Sequence, residues 1–494
     1  MKDLDKLLNG LEIKNILGDK NKKIKGFNYD SRKCKEDFLF VAIKGVQFDG
    51  HQFIEKAIDK GANTIVCEDE TFIPANSNEL TFIIVNNSRL ALSKISANWF
   101  DNPSKKMKLI GVTGTNGKTT ITFLIKQLLE ANNYKVGIIG TTGIFIGNKK
   151  VPATHTTPES LELQGHLNIM LNSNIDFVVM EVSSHSLVQS RVADIDFDFA
   201  IFTNLTHEHL DFHKTINEYA LAKKLLFDSM NKGVAIVNAD DEYGNLMLQD
   251  FKGEKKLKIG RKPEADILIK NEKLNNTNSS FTLDFIKDNE QLKYTTALVG
   301  RFNIDNLSFA IVIAKLLGLD DEIIRKTIEN INGATGRMQK IPLKNGALGI
   351  VDYSHTPDAL EKALVTCREL LPDNSHLICV FGCGGDRDKR KRPLMGAIAG
   401  RLADYIIITD DNPRTEDSEK IIDMIYKGIT KEHKKNTIII SKRDDAIAYA
   451  VNLSKKDDII LVAGKGHEGY QIYGTKKRYF SDIDELKKYS IIND

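Results

Sequence analysis

The chain has 494 residues, 41% hydrophobic and 28% charged, with a formal net charge of +2. That length is too great for one hydrophobic core and predicts about three domains of an ordinary globular kind. The near-neutral, interspersed charge gives no reason to expect a nucleic acid partner.

The amino-terminal MKDLDKLLNGLEIKN carries acids and reads as neither signal peptide nor anchor, and no apolar run approaches a membrane span. The five cysteines, Cys34, Cys67, Cys367, Cys379 and Cys383, lack paired metal spacing and fit reduced thiols in a cytoplasm. From about residue 25 to 100, FLFVAIKG, ANTIVCED and TFIIVNN read as strands and FIEKAIDKG as a helix ended by Gly61. This predicts a small α/β domain over 1–103, closed by the linker Asn102-Pro103-Ser104. On its own, Asp30-Ser31-Arg32 is a turn.

The second region, 104–336, opens on LIGVTGTNGKTT at 109–120, an apolar run, a Gly-rich turn and a helical pattern in ITFLIKQLLEANN. Strand, glycine loop and helix form the setting of a phosphate-binding loop. Gly114 and Gly117 let backbone N–H groups of Thr115 and Asn116 turn towards phosphate oxygens, Lys118 would reach the terminal phosphates, and Thr119 would offer a hydroxyl to Mg²⁺. The strict eight-residue motif is not met, because Val112 stands where its first glycine belongs. YKVGIIG, IDFVVMEV, FDFAIFTNL and GVAIVNAD are apolar runs that predict a mostly parallel sheet covered by helices, with chemistry at the strands' carboxyl ends. THTTPES (154–160), EVSSHS (181–186) and TNLTHEHLDFH (203–213) fall there. Glu181 closes its strand as a metal-holding acid would, whereas the order of His207, Glu208, His209 and His213 is wrong for zinc. On spacing alone, Lys223 and Lys224 in EYALAKKLLF are surface lysines, and 265–300 looks like an antiparallel excursion from the central domain.

The third region, 337–494, again alternates: GALGIVDY, HLICVFGCGG, DYIIITDD, NTIIISK and DIILVAGKG predict a Rossmann-like α/β domain. GKGHEG at 464–469 matches a dinucleotide fingerprint letter for letter, but the chain has no room after it for the required βαβ unit. The basic run DKRKR lacks the aromatic interleaving of a nucleic acid site.

GTNGKTT resembles the loop of the Mur ligases and their folylpolyglutamate synthetase relatives, and the other motifs follow in that family's order along nearly the whole chain. The resemblance implies an ATP-dependent, amide-forming enzyme with Mg²⁺ as cofactor. Asp-Ser-Arg followed by DFLFVAIKGVQFDGHQFI is similar to the uridine-nucleotide domain of the tripeptide-forming members, which assigns Ser31, Val46, Gln47 and Phe48 to a UDP-linked substrate. MEVSSHSLVQSRV carries over Thr156, Thr157, Ser183, Gln189 and Arg191 as nucleotide-peptide contacts, and Glu181 and His209 as metal ligands or their neighbours. The family's carbamylated lysine falls on Lys223, Asn303 and Asn306 lie near the adenine nucleotide, and Arg337 reaches the ATP phosphates from the hinge. Asp411-Asn412-Pro413-Arg414 resembles the motif of members that add meso-diaminopimelate, with Arg387, Gly464 and Glu468 completing an amino-acid pocket and Glu468 facing the distal ammonium. The implied reaction joins meso-diaminopimelate to the D-Glu γ-carboxylate of UDP-MurNAc-L-Ala-D-Glu in a cytoplasmic monomer. L-lysine as the added amino acid, and a nucleotide-switched binding protein without ligase activity, remain open alternatives.

Overall fold

The computed structural model describes residues 1–491 apart from 46, 47, 76, 78, 154, 207, 276 and 277, and apart from the side chains of Leu210 and Asp211. The readings that fell on Val46, Gln47, Thr154 and His207 therefore lie outside the described residues.

The first sheet has five strands in the order Ile13–Leu17, Thr81–Val85, Ala62–Cys67, Phe38–Val41, Gly26–Asn28. Only the first pairing is antiparallel. The predicted helix runs over Ile54–Asp59, and Gly61 follows it at φ +99°, a conformation natural to glycine.

The second sheet has eleven strands: Lys149–Val151, Gly143–Ile146, Val136–Gly140, Phe177–Glu181, Lys108–Thr113, Phe199–Phe202, Val234–Asn238, Lys255–Gly260, Ile267–Leu274, Ser279–Phe285 and Glu290–Thr296. Strands from Val136–Gly140 to Ile267–Leu274 are parallel, as the apolar runs predict. Burial on both faces is direct: Val179 joins the core under the helices Lys118–Ala131 and Arg301–Leu316, while its neighbours Val178 and Met180 join the core on the other face. The stretch 265–300 pairs antiparallel, as its pattern predicts, but it continues the central sheet: Ile259 and Gly260 pair in parallel with Ile267 and Leu268 before two antiparallel strands follow. Phe281, Leu283 and Phe285 then extend the same core.

The third sheet has six strands ordered Gln339–Pro342, Leu348–Asp352, Ile459–Ala463, Leu377–Phe381, Tyr405–Ile408, Thr437–Ile439, parallel except for the first pairing. Cores lie on both of its faces. After Ile459–Ala463 comes a hairpin, Tyr470–Tyr473 with Lys476–Tyr479, so the glycine pattern at 464–469 does not open a dinucleotide-binding helix.

Arg443 and Asp482 form a wholly buried, two-pronged pair, Nε to Oδ1 at 2.7 Å and Nη2 to Oδ2 at 2.8 Å. The same guanidinium donates to the Ala463 carbonyl at 2.9 Å and the Asp410 carbonyl at 3.3 Å, tying together two strand ends. Asp482→Ala strands this cation in the interior and should cost about 3–5 kcal/mol. The shift in a denaturant unfolding midpoint measures it, and a change below about 1 kcal/mol would show that the pair matters little. Among the described residues, no helix is long and apolar enough to cross a membrane.

Candidate active site

The phosphate loop joins the Lys108–Thr113 strand to the Lys118–Ala131 helix. Gly114 has φ +147° and Gly117 φ +91°. A Cβ on Gly114 would lie 1.9 Å from the Thr203 hydroxyl, and one on Gly117 would lie 2.6 Å from the Asn306 side-chain oxygen, so both glycines are required by space as well as by backbone. The neighbouring strand braces the loop. The Asn116 N–H donates to Asn204 Oδ1 at 3.0 Å, the Thr115 N–H to the Asn204 carbonyl at 2.8 Å, and the Thr203 hydroxyl to the Asn116 carbonyl at 2.6 Å.

Lys118 folds back on its own loop, donating to the Gly114 and Thr115 carbonyls at 2.8 Å each. Burial draws its ammonium below the ordinary lysine range, against the pull of Glu181 and Glu208. The Thr119 hydroxyl donates to Glu181 Oε1 at 2.9 Å, and the Thr141 backbone N–H and hydroxyl donate to the two Glu181 oxygens at 2.9 and 3.1 Å. Hard oxygen donors in this arrangement suit Mg²⁺.

Lys223 and Lys224 are both buried, contrary to the surface reading from spacing. Lys224 is held by Asp228 at 2.5 Å and Asp250 at 3.0 Å. Lys223 lies under the phosphate loop, its Nζ 2.9 Å from the Gly114 carbonyl and 4.2 Å from the centre of the Tyr219 ring. Burial, reinforced by Lys118 and opposed by Glu208, brings its pKa well below the ordinary lysine value. His209 flanks the same tyrosine, ring centres 6.1 Å apart, and meets His185 edge-on at 5.0 Å. His213 bonds the Ser184 hydroxyl at 2.8 Å and stacks on Tyr219 at 4.9 Å. Burial pushes the Glu208 carboxyl up, but His209, His355, Lys118 and Lys223 together hold it below its ordinary value.

The proposed nucleotide-peptide contacts cluster beside Glu181. Thr156 bonds Thr141 at 3.1 Å, Thr157 donates to the Glu181 carbonyl at 2.8 Å, and the Ser183 N–H donates to Thr157 at 3.1 Å. Arg191 reaches the Thr157 carbonyl at 2.9 Å, Gln189 at 2.7 Å and Glu159 at 2.7 Å. Just past the strand Gly26–Asn28 and two residues before the buried Ser31, the Tyr29 hydroxyl donates to Glu162 of the second region at 2.9 Å. Phe48 is 70% exposed.

Asn306 packs against Gly117, whereas the Asn303 amide donates to the Val299 carbonyl at 2.8 Å and so serves the start of its own helix. Arg337 crosses to Thr119 at 3.4 Å and covers the Tyr353 ring at 4.6 Å. Asn116 crosses to Asp358 at 3.0 Å, and Gly336, at φ +68°, abuts Gly466 and His467 so closely that a Cβ would meet their backbone at 2.2 Å.

The remaining residues gather in loops 382–387, 411–414 and 464–468, each following a parallel strand of the third sheet. A Cβ on Gly384 would lie 2.9 Å from Arg414 Nη1 and 3.8 Å from Arg387 Cγ, which places both arginines on one loop face. Arg414 sits at φ +52° after Pro413, donates through Nη1 to the Gly385 carbonyl at 2.7 Å, and pairs by its backbone with Ile472 at 3.1 Å. Gly464 packs on the Asp411 carboxyl, and Asn412 donates to Glu468 at 3.0 Å. Sequence reasoning missed Thr141, which orients Glu181, and Lys465, whose signal was a lone lysine between two glycines.

Three family models match in succession: "Mur ligase family, catalytic domain" over 23–99, "Mur ligase middle domain" over 112–314 and "Mur ligase, glutamate ligase domain" over 336–466. Two curated relatives, from Clostridium acetobutylicum and Clostridium tetani, are 43% and 44% identical over 489 residues, 98% of both chains in each case. They carry the name UDP-N-acetylmuramoyl-L-alanyl-D-glutamate--2,6-diaminopimelate ligase, with a 1 appended in the first. A solved structure of a protein so named is 32% identical with a TM-score of 0.70, covering 99% of this chain and 98% of that one. Identity at this level, sustained along nearly the full length and through all three sheets, goes beyond a shared fold: the chain belongs to the Mur ligase family.

Proposed function

We propose that the chain is the ATP-dependent ligase that adds meso-diaminopimelate to the D-Glu γ-carboxylate of UDP-N-acetylmuramoyl-L-Ala-D-Glu in peptidoglycan precursor synthesis. The observation that carries this reading is the loop cluster that brings Arg387 and Arg414 together within the third sheet, which also holds Glu468. Relatives named for that activity over full length support it. The working division is 1–103 for the uridine-linked substrate, 104–336 for ATP and 337–494 for the amino acid, in a cytoplasmic monomer.

In this reading ATP lies along Gly114–Thr119, its phosphates facing loop N–H groups and the start of the Lys118–Ala131 helix. Lys118 leaves the carbonyls it now contacts and turns to the phosphates. Thr119 and Glu181 would hold Mg²⁺, with Lys223 as a carbamate adding an oxygen donor and His209 beside it. Mg²⁺, when bound, offsets the charge of the transferring phosphoryl group. Lys223 suits the modification because burial favours its neutral amine, which bonds to the carbon of CO₂ and loses one proton to solvent. The substrate γ-carboxylate attacks the terminal phosphorus, ADP leaves, and an acyl phosphate forms. The free amine of diaminopimelate then attacks the acyl carbon, its nitrogen gives up one proton to solvent, and the tetrahedral intermediate collapses with loss of phosphate. Arg337 and Asn116, which already span two sheets, help close the site against water.

Phosphate release by the purified protein should require ATP, the nucleotide-dipeptide and meso-diaminopimelate together. Binding of ATP without such release would identify a nucleotide switch. Arg414 is expected to bind the distal carboxylate through a charge-assisted fork. Lysine would leave that cation unpaired in a closed pocket, at a cost of about 3–5 kcal/mol, roughly a hundredfold to several thousandfold in selectivity. Arg414→Ala should therefore lose most kcat/KM for diaminopimelate and much less for lysine. Equal losses, or a wild type that prefers lysine, would overturn the substrate assignment.

A further inference from the structure

The turn Gly384–Gly385–Asp386 is the seat of the Arg414 guanidinium. Arg414 Nη1 donates to the Gly385 carbonyl at 2.7 Å, and a Cβ on Gly384 would lie only 2.9 Å from the same nitrogen. The turn is pressed against the 411–414 loop. The Gly385 N–H donates to the Asn412 carbonyl at 2.9 Å, and a Cβ on Gly385 would fall 1.8 Å from the Pro413 carbonyl oxygen. The Arg414 backbone is fixed separately, by the Ile472 carbonyl at 3.1 Å and the Gly474 N–H at 2.7 Å. Where its guanidinium sits therefore depends on the turn.

Two side chains from outside the three pocket loops hold that turn. Arg392 is the second residue of the helix Lys391–Leu402 and is wholly buried, and Glu416 follows Arg414 by two residues. Arg392 Nη1 and Nη2 donate to the two Glu416 oxygens at 3.0 and 2.9 Å, and Nη2 also donates to the Gly384 carbonyl at 3.2 Å. Glu416 in turn accepts the Asp386 N–H at 2.6 Å. One ion pair thus grips the turn at both ends, Gly384 by its carbonyl and Asp386 by its N–H. Hydrogen bonding by Arg392 holds the Glu416 carboxyl down at about 2, with the Asp386 N–H and Lys389 adding to the effect. A buried ion pair adds little net stability over apolar side chains of the same size, so stability alone does not account for it. Its directed bonds to the turn do.

Resting on the function proposed above, we infer that Arg392 and Glu416 are positioning residues for the amino-acid substrate: together they set the 384–386 turn and so place the Arg414 fork for the substrate's distal carboxylate. They act through the turn and not by contact with the substrate.

The test measures kcat and KM for meso-diaminopimelate, ATP and nucleotide-dipeptide with wild type, Glu416→Gln, Arg392→Met, Arg392→Lys, Arg414→Ala and the double variant Glu416→Gln/Arg414→Ala. Glu416→Gln keeps the shape and removes the charge. It should lower kcat/KM for diaminopimelate about tenfold or more through KM, the scale of one charged hydrogen bond, and leave KM for the other two substrates within about twofold of wild type. Arg392→Lys, which keeps the charge without the fork, should retain part of what Arg392→Met loses. A residue that works by placing Arg414 has little left to do once Arg414 is gone. Glu416→Gln should therefore cost less than about threefold in the Arg414→Ala background. Losses that multiply, or a rise in all three KM values alike, would overturn the inference. Should Arg392→Met fail to fold, Glu416→Gln alone carries the same expectation and the same overturning outcomes. A wild type that releases no phosphate with diaminopimelate would overturn the function reading, and this inference with it. A wild type and Arg414→Ala that behave as expected, beside an unaffected Glu416→Gln, would overturn the inference alone.

Discussion

Lys223→Ala is expected to be almost inactive, losing on the order of 10³-fold in kcat, because the carbamate proposed there would help hold Mg²⁺ and contribute several kcal/mol at the transferring phosphoryl group. The environment is suited to this chemistry. Lys223 is buried beneath the phosphate loop, and the neighbouring Lys118 further disfavours a second ammonium. Short carboxylates such as acetate or formate should restore part of the activity by occupying the vacated position, and bicarbonate should not be needed for that rescue. Electron density in a substrate-bound crystal is the direct observable. A plain amine at Lys223 there, or a Lys223→Ala variant within about tenfold of wild type, would refute the assignment.

Lys118→Ala should lose about 10²–10³-fold in kcat, the scale for removing one preorganised charge from a phosphoryl-transfer site. The loss should fall on phosphate release rather than on nucleotide-dipeptide binding, because Arg191, Ser183 and Thr157 form their own network beside Glu181. Single-turnover phosphate release separates the two. Turnover close to wild type would mean that Lys118 stays on the Gly114 and Thr115 carbonyls during catalysis and that the ATP site lies elsewhere.

The phosphate loop was legible because its glycines are dictated locally. Gly114 and Gly117 take backbone angles that other residues avoid, and the flanking strand and helix each have a clear period. Lys223 was not legible from pattern alone. Its helix has the spacing of a half-exposed element, and what buries Lys223 comes from more than a hundred residues away, at the Gly114 carbonyl. The strands over 267–296 show the same limit from another side: alternation reveals a strand but not which sheet edge accepts it. Asn303 was grouped with Asn306 by the family resemblance, yet one turn of helix sends the first to the Val299 carbonyl and the second to Gly117. Lys465 went unnoticed because GKGHEG was weighed as a motif for a dinucleotide, and the partners that hold the lysine, Asn412 and Glu468, meet only when two strand ends adjoin.

On the proposed reading, the third sheet carries the amino-acid pocket on three loops, while the phosphate loop and its acid belong to the second. Chemistry and choice of building block therefore have separate addresses in the chain. A lineage could exchange one amine for another by rewriting a handful of loop positions, under cores that need not change. The energy-coupling half of the molecule would pass through such an exchange untouched. An engineer seeking a ligase for an unnatural amine would start in the same three loops, keeping the Arg443–Asp482 brace that holds two of their strand ends together.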